Sequence, residues 1–135
     1  HPKERINSEA LDQVLQDSSL VEISDFEGNQ IVAIFIPGCK YCQLSMQRLA
    51  SIFERHQIDP NLLKIVIVGN PEGVEFFRKE TNIDAYPILY YPDPISMFKA
   101  TSGSFPTLLF MENKSVKKSI NFRGIDEKSI LDHLQ

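Results

Sequence analysis

Cysteine is scarce in this chain: its 135 residues hold two, Cys39 and Cys42, and no second C-x-x-C pair exists. A structural zinc site asks for about four ligands. The three histidines, His1, His56 and His133, are scattered toward element ends, so metal binding finds no support and these side chains are expected to face solvent. No apolar run approaches the roughly 20 residues that a membrane helix needs. An excess of positive charge is missing too: 14 Lys and Arg stand against 18 Asp and Glu, giving a net charge of -4. That balance offers no basic field for nucleic acid or anionic lipid. No repeat, low-complexity tract or Gly/Ser-rich linker divides the chain, which is long enough to bury one continuous core. A single domain over residues 1–135 is expected, as a monomer whose partners are other proteins or small thiols.

What is present is an alternation of helix-like and strand-like segments, which favours an α/β architecture with a central sheet. Ala10, Leu11, Val14 and Leu15 recur at helical spacing over residues 8–17. Residues 20–25 and 31–36, with a turn at Glu27-Gly28-Asn29 between them, read as a β-hairpin. Met46, Leu49, Ile52 and Phe53 place an apolar stripe on a helix that ends before Pro60, with Gln43, Gln47, Arg48 and Glu54 on its other face. Residues 63–68 form a β-branched run, and Asn70-Pro71 supplies an N-cap with proline at the first helical position for a helix reaching about Thr81. A short strand at 88–90, a helix opened by Asp93-Pro94, and two antiparallel strands at 107–111 and 116–122 follow. Asp126 caps a closing helix, with Ile125 and Ile130 spaced as a hydrophobic staple. The tyrosines Tyr86, Tyr90 and Tyr91 read as core packing beside Pro87 in preference to a docking surface.

Cys39-Lys40-Tyr41-Cys42 sits where the apolar run Ile31 to Ile36 hands over, through Pro37-Gly38, to the helical pattern that starts at Gln43. Such a pair can close into a small ring and reopen, and a helix N-terminus stabilises the thiolate this exchange needs. A purely structural bridge is the competing reading, although so short a loop yields only about 2 kcal/mol of chain-entropy stabilisation. Pro106, in Phe105-Pro106-Thr107, opens a strand. On residues alone a trans proline at a strand start is the simpler reading.

The element order, the C-x-x-C at the head of the first crossover helix and the downstream Phe105-Pro106-Thr107 together resemble the thioredoxin superfamily, most closely its TlpA/ResA-like branch of envelope thiol-disulfide oxidoreductases. The matching pieces span residues 20–135: Asp25-Phe26-Glu27-Gly28-Asn29, the strand into Pro37-Gly38-Cys39-Lys40-Tyr41-Cys42, the strand and helix from Ile65 to Thr81, Ser104-Phe105-Pro106-Thr107, and Phe122-Arg123-Gly124. Residues 1–19 would be a helical extension. The resemblance implies a thioredoxin-like fold, with a central mixed sheet flanked by helices and carrying the N-terminal helix and hairpin. It further implies a cis bond before Pro106, a Phe105 backbone that meets an extended substrate, and catalysis by Cys39 as attacking and Cys42 as resolving sulfur. Lys40 and Tyr41 are candidate substrate contacts, each with a plain alternative as a solvated charge or a surface aromatic. No cofactor is implied beyond the Cys39-Cys42 disulfide itself.

Two departures stand out. A buried aspartate common six residues before the first cysteine is Ala33 here, and a glutamate frequent three residues after the second is Ser45. The usual proton acceptor is therefore missing. Among relatives, a glutaredoxin reading is weakened by Lys40 in place of proline and by the lack of a Gly pair after Thr107. A peroxiredoxin reading is weakened by Ile36 where threonine is needed, and Sco-type copper delivery by the C-x-x-C spacing. The expected activity is thiol-disulfide exchange with protein substrates, leaning to reduction and recharged by a separate redox partner; a thioredoxin-fold binding module with a fixed bridge is the alternative. The expected location is periplasm or cell envelope, with a leader or lipid anchor ahead of residue 1 left open because His1-Pro2-Lys3-Glu4-Arg5 has no signal-peptide apolar stretch. A cytosolic redox protein fits the same cysteine usage.

Overall fold

The computed structural model describes residues 6–135; His1 and the opening segment through Arg5 lie outside the described residues. Helix α1 (Ser8–Leu15) is opened by Asn7, whose side chain accepts from the Ala10 N–H, and it buries Ala10, Leu11, Val14 and Leu15. A 3-10 turn (Ser18–Leu20) then runs into the one-turn helix α2 (Val21–Ser24). Strand β1 (Asn29–Phe35), helix α3 (Lys40–Arg55), strand β2 (Leu63–Val68), helix α4 (Glu72–Thr81), strand β3 (Ile88–Tyr91) and helix α5 (Pro94–Thr101) form successive crossover units. Strands β4 (Thr107–Glu112) and β5 (Ser115–Ile120) and helix α6 (Glu127–Leu134) complete the chain.

The five strands lie in the order β3-β2-β1-β4-β5, with β1, β2 and β3 parallel and β4 antiparallel to both β1 and β5. Period-two alternation sends the two halves of each inner strand to different layers. Ile31, Ala33 and Phe35 of β1 join Ile65 and Ile67 of β2 against Met46, Leu49 and Phe53 of α3, Phe77 of α4 and Ile130 of α6. Val32, Ile34, Val66 and Val68 face the other way, onto Leu11 and Val14 of α1, Leu20, Ile23, and Met97 and Ala100 of α5. The N-terminal helix thus covers one face of the sheet and supplies part of its core.

The expected strand at residues 20–25 is not formed, and so there is no N-terminal hairpin. Both edges of β1 are already taken, by β2 and β4, which leaves a strand there nothing to pair with. The segment instead buries Leu20 and Ile23, three residues apart, and leaves Val21 47% exposed, the signature of a helical turn. Helix α4 also begins differently from expectation: Pro71 takes the N-cap position with no side-chain cap bond, and Asn70 contributes only its backbone carbonyl, to the Gly73 N–H. Asp93 and Asp126 do cap α5 and α6 through their side chains. Tyr86 and Tyr91 are buried, and the Tyr90 hydroxyl donates to the Gly69 carbonyl.

Two further expectations are corrected. Gln43 is buried rather than solvent-facing, its amide donating to the Pro37 carbonyl at 2.9 Å. His133 is half-buried, its ring 5.0 Å from that of Phe110 and its Nε2 within 3.1 Å of the Gln30 and Met111 carbonyls. Lys64, within the β-branched strand, is buried as well; its ammonium donates to Gln30 Oε1 and the Asn61 carbonyl and lies 4.0 Å from the Phe26 ring. His133 and Lys64 lie toward the opposite end of the sheet from the cysteines, whereas Gln43 braces the turn beside them.

Helix α4 approaches the turn that precedes Cys39 so closely that a Cβ on Gly73 would stand 2.4 Å from Pro37 Cγ. The rigid proline ring cannot swing aside as a flexible side chain would. Gly73→Ala is therefore expected to destabilise the protein by about 1–3 kcal/mol, reversing the gain of about 1 kcal/mol that alanine normally brings inside a helix. Urea denaturation of the two proteins checks this.

Candidate active site

Strand β1 stops at Phe35, and Pro37-Gly38 turns the chain so that the Cys39 N–H reaches back to the Ile36 carbonyl at 3.1 Å. Cys39 is thereby the N-cap of α3, with extended backbone angles (φ -79, ψ 120), and its Sγ accepts from the Cys42 N–H at 3.2 Å. An N-cap group faces the unpaired N–H groups of the first turn, a setting that favours negative charge. The turn is held from inside by the Gln43 amide on the Pro37 carbonyl.

The two sulfurs differ in access. Cys39 is half-buried and Cys42 is fully enclosed, and the thiols are unbridged. Burial pushes the Cys42 thiol well above the ordinary value, reinforced by its hydrogen bond to Cys39, while the Ile36 backbone acts weakly in the other direction. The positions of the missing acids are both buried: Ala33 lies in the core under α3, and the Ser45 hydroxyl donates to the Tyr41 carbonyl at 2.7 Å.

Facing this helix end is the segment that leads into β4. The Phe105–Pro106 peptide bond is cis. The Cys39 thiol points at the Phe105 carbonyl from 4.0 Å. Among the described residues no backbone hydrogen bond uses the Phe105 N–H or carbonyl. Thr107 tightens the turn by donating to the Ser104 carbonyl at 2.6 Å, and the Phe98 ring of α5 lies 5.2 Å from the Phe105 ring.

Of the residues named from sequence, Cys39, Cys42, Phe105 and Pro106 come together at this point. Lys40 is exposed at the head of α3, and Tyr41 is 56% exposed with its ring 5.1 Å from that of Phe122. A groove of about 190 Å³ runs beside the cysteine, lined by Tyr41, Phe105, Pro106, Asn121, Phe122 and Arg123, with Ser104 at its end. The last three of those six were not assigned to the site from sequence. Topology was the available signal: β4 runs antiparallel to β1, and β5 returns antiparallel to β4, so the loop after Ile120 must arrive at the end of the sheet where β1 delivers Cys39. A larger depression of about 650 Å³, lined by Glu75, Phe76, Arg78 and Ile83 among others, holds neither cysteine. Among the described residues no three His, Cys, Asp or Glu side chains converge as metal ligands, and no helix is long and apolar enough to cross a membrane.

No protein-family model matches the sequence, and no curated protein does. Solved structures do match. A secreted thiol-disulfide isomerase from Corynebacterium glutamicum is 21% identical, with a TM-score of 0.58 over 83% of this chain and 72% of that one. A thioredoxin-related protein from Neisseria meningitidis serogroup B is 19% identical, with a TM-score of 0.58 over 81% and 84% of the two chains. The exposed lipoprotein thioredoxin of Streptococcus pneumoniae is 20% identical, with a TM-score of 0.56 over 83% and 87%. The chain has a thioredoxin-like fold: a mixed five-stranded sheet between two helical layers. Its cysteine pair occupies the turn from the central strand into the longest helix.

The difference between the sulfurs has two measurable consequences. In the reduced native protein, iodoacetamide at neutral pH is expected to label Cys39 and to leave Cys42 untouched, as peptide mapping by mass spectrometry would show. A thiol whose folded value is raised lends its full stability contribution below the ordinary value of 9.0 and loses it as pH climbs beyond. The stability advantage of the reduced protein over Cys42→Ala should therefore be constant below about pH 9 and shrink above it, by up to about 1.4 kcal/mol per pH unit. Denaturation of both proteins from pH 7 to 10.5 measures this.

Proposed function

We propose that the protein is a thiol-disulfide oxidoreductase that exchanges the Cys39-Cys42 dithiol and disulfide with protein substrates, working as a reductase. The observation that carries this reading is the reachable Cys39 sulfur at the N-cap of α3, held 4.0 Å from the Phe105 carbonyl, with Cys42 enclosed behind it. Solved structures of similar fold whose descriptions name thiol-disulfide isomerase or oxidoreductase activity support the same reading.

In the forward direction Cys39, as thiolate, attacks one sulfur of a substrate disulfide, and that bond breaks as the Cys39–substrate bond forms. The departing substrate sulfur takes up the proton that Cys39 gave to solvent. Cys42 then loses its proton and attacks Cys39 Sγ, which closes the Cys39-Cys42 disulfide and releases the second substrate thiol. Two electrons and two protons pass to the substrate in all. Burial holds the Cys42 thiol protonated, so its proton must leave before this step, and neither Ala33 nor Ser45 provides a carboxylate to take it. An extended substrate segment is held by the unused N–H and carbonyl of Phe105 beside the buried Pro106, with Lys40 and Tyr41 at the rim.

No cofactor is needed beyond the cysteine pair. With no other cysteine in the chain, reduction of the closed pair falls to a separate protein or small thiol. The secreted and exposed-lipoprotein neighbours support an envelope location, where the chain is proposed to act as a monomer.

Titration of the pair in redox buffers, read by alkylation, should show a transition between about -150 and -300 mV; a fixed bridge in a pure binding module would resist reduction to lower potential. Cys39→Ser is expected to abolish insulin reduction. Cys42→Ser should retain the first attack and accumulate a mixed disulfide with substrate, visible on a non-reducing gel. A wild-type pair inert across that range would refute the proposal.

A further inference from the structure

The groove beside Cys39 has a charge opposite to that of the chain as a whole. The net charge is -4. Yet the groove lining contains Arg123 and no carboxylate. Lys40 adjoins the reactive sulfur in sequence, and the Arg48 guanidinium lies 5.9 Å from the centre of the Phe122 ring, whose centre is in turn 5.1 Å from that of Tyr41. All three cations are exposed, and among the described residues none forms an ion pair, whereas Arg55, Lys117 and Lys128 each have an acidic partner.

The carboxylates nearest to Arg123 in sequence are engaged elsewhere. Asp126 caps α6 through the Ser129 N–H and hydroxyl, and Glu127 is held by Arg55 and His56. The hydrogen-bonding capacity of Arg123 is thus free toward the groove. A guanidinium offers paired N–H groups that match a carboxylate in geometry as well as charge. Aromatic faces at Tyr41 and Phe122 give the same wall an apolar surface for the substrate backbone and neighbouring side chains.

We propose that Arg123, with Lys40 and Arg48 behind it, determines specificity by selecting partner segments that carry an aspartate or glutamate within a few residues of the reacting cysteine. This inference rests on the thiol-disulfide reading of the site and adds the substrate class to it. Opposite charge at the rim raises the encounter rate and orients the segment along the groove.

Two disulfide-linked peptide dimers, identical except for glutamate or lysine flanking the cysteine, test the inference. The rate of reduction of each by the reduced full chain is divided by its rate with dithiothreitol, which removes the intrinsic difference in reactivity. At low ionic strength the glutamate peptide should react about 10-fold faster, and the ratio should fall toward one at about 0.5 M salt, where screening is strong. Arg123→Glu should invert the ratio, Arg123→Gln should bring it close to one, and Arg123→Lys should keep part of it. Equal normalised rates with the wild-type protein, or a ratio unmoved by both salt and Arg123→Glu, would overturn the inference while leaving the redox activity intact. Reduction of neither peptide, together with an inert pair in the redox titration, would overturn the activity and the specificity with it.

Discussion

Strand β1 is enclosed on all four sides, and the position of the site follows from that enclosure. Its edges are paired with β2 and β4, and its faces are buried under α3 on one side and α1 with α5 on the other. A strand so confined cannot slip by one residue without sending Ile31, Ala33 and Phe35 into the wrong layer. The register therefore fixes where Phe35 ends, and Pro37-Gly38 converts that end point into the first turn of α3. Cys39 is placed by the core of the protein and needs no local anchoring beyond the Gln43 amide on the turn.

The same burial divides the chemistry between two identical side chains three residues apart. Cys39 sits at the boundary, where its sulfur meets an N–H of the helix and the Phe105 carbonyl. Cys42, one turn further along α3, faces the apolar layer and is held protonated by it. The attacking and resolving roles proposed for them rest on that difference in depth. The methyl of Ala33 and the internally bonded hydroxyl of Ser45 leave the hydrophobic layer around the second sulfur unbroken.

Most of this was legible in the sequence because strong local signals coincided with the global fold. The β-branched runs at Ile31 to Phe35 and Ile65 to Val68, the caps at Asp93 and Asp126 and the stripe Met46, Leu49, Phe53 all act in the structure as their spacing suggests. The failures share a cause, which is that sequence pattern does not reveal which neighbours are already taken. Leu20 to Asp25 has strand composition, but no edge of β1 was free for it. Gln43 is polar, yet the Pro37 carbonyl stands within reach to satisfy it inside the fold. Arg123 and Phe122 belong to the groove only because two antiparallel returns of the chain bring them there, and no periodicity records such a return.

The outer strands of the sheet give the open Phe105 backbone a further meaning. On one margin β5 displays Lys117 and Lys118 to solvent; on the other, β3 is four residues long and bracketed by Pro87 and Pro92, neither of which has an N–H to donate. Lysines, brevity and flanking prolines are the devices by which sheet proteins deter foreign chains from annealing to them. Against that guarded perimeter, the Phe105 peptide stands apart: no other backbone group uses its N–H or carbonyl, and it lies beside the Cys39 sulfur, where the proposed substrate segment would meet it. The margins of the sheet are thus defended against an added strand, while the backbone beside the cysteine pair is left without such a defence.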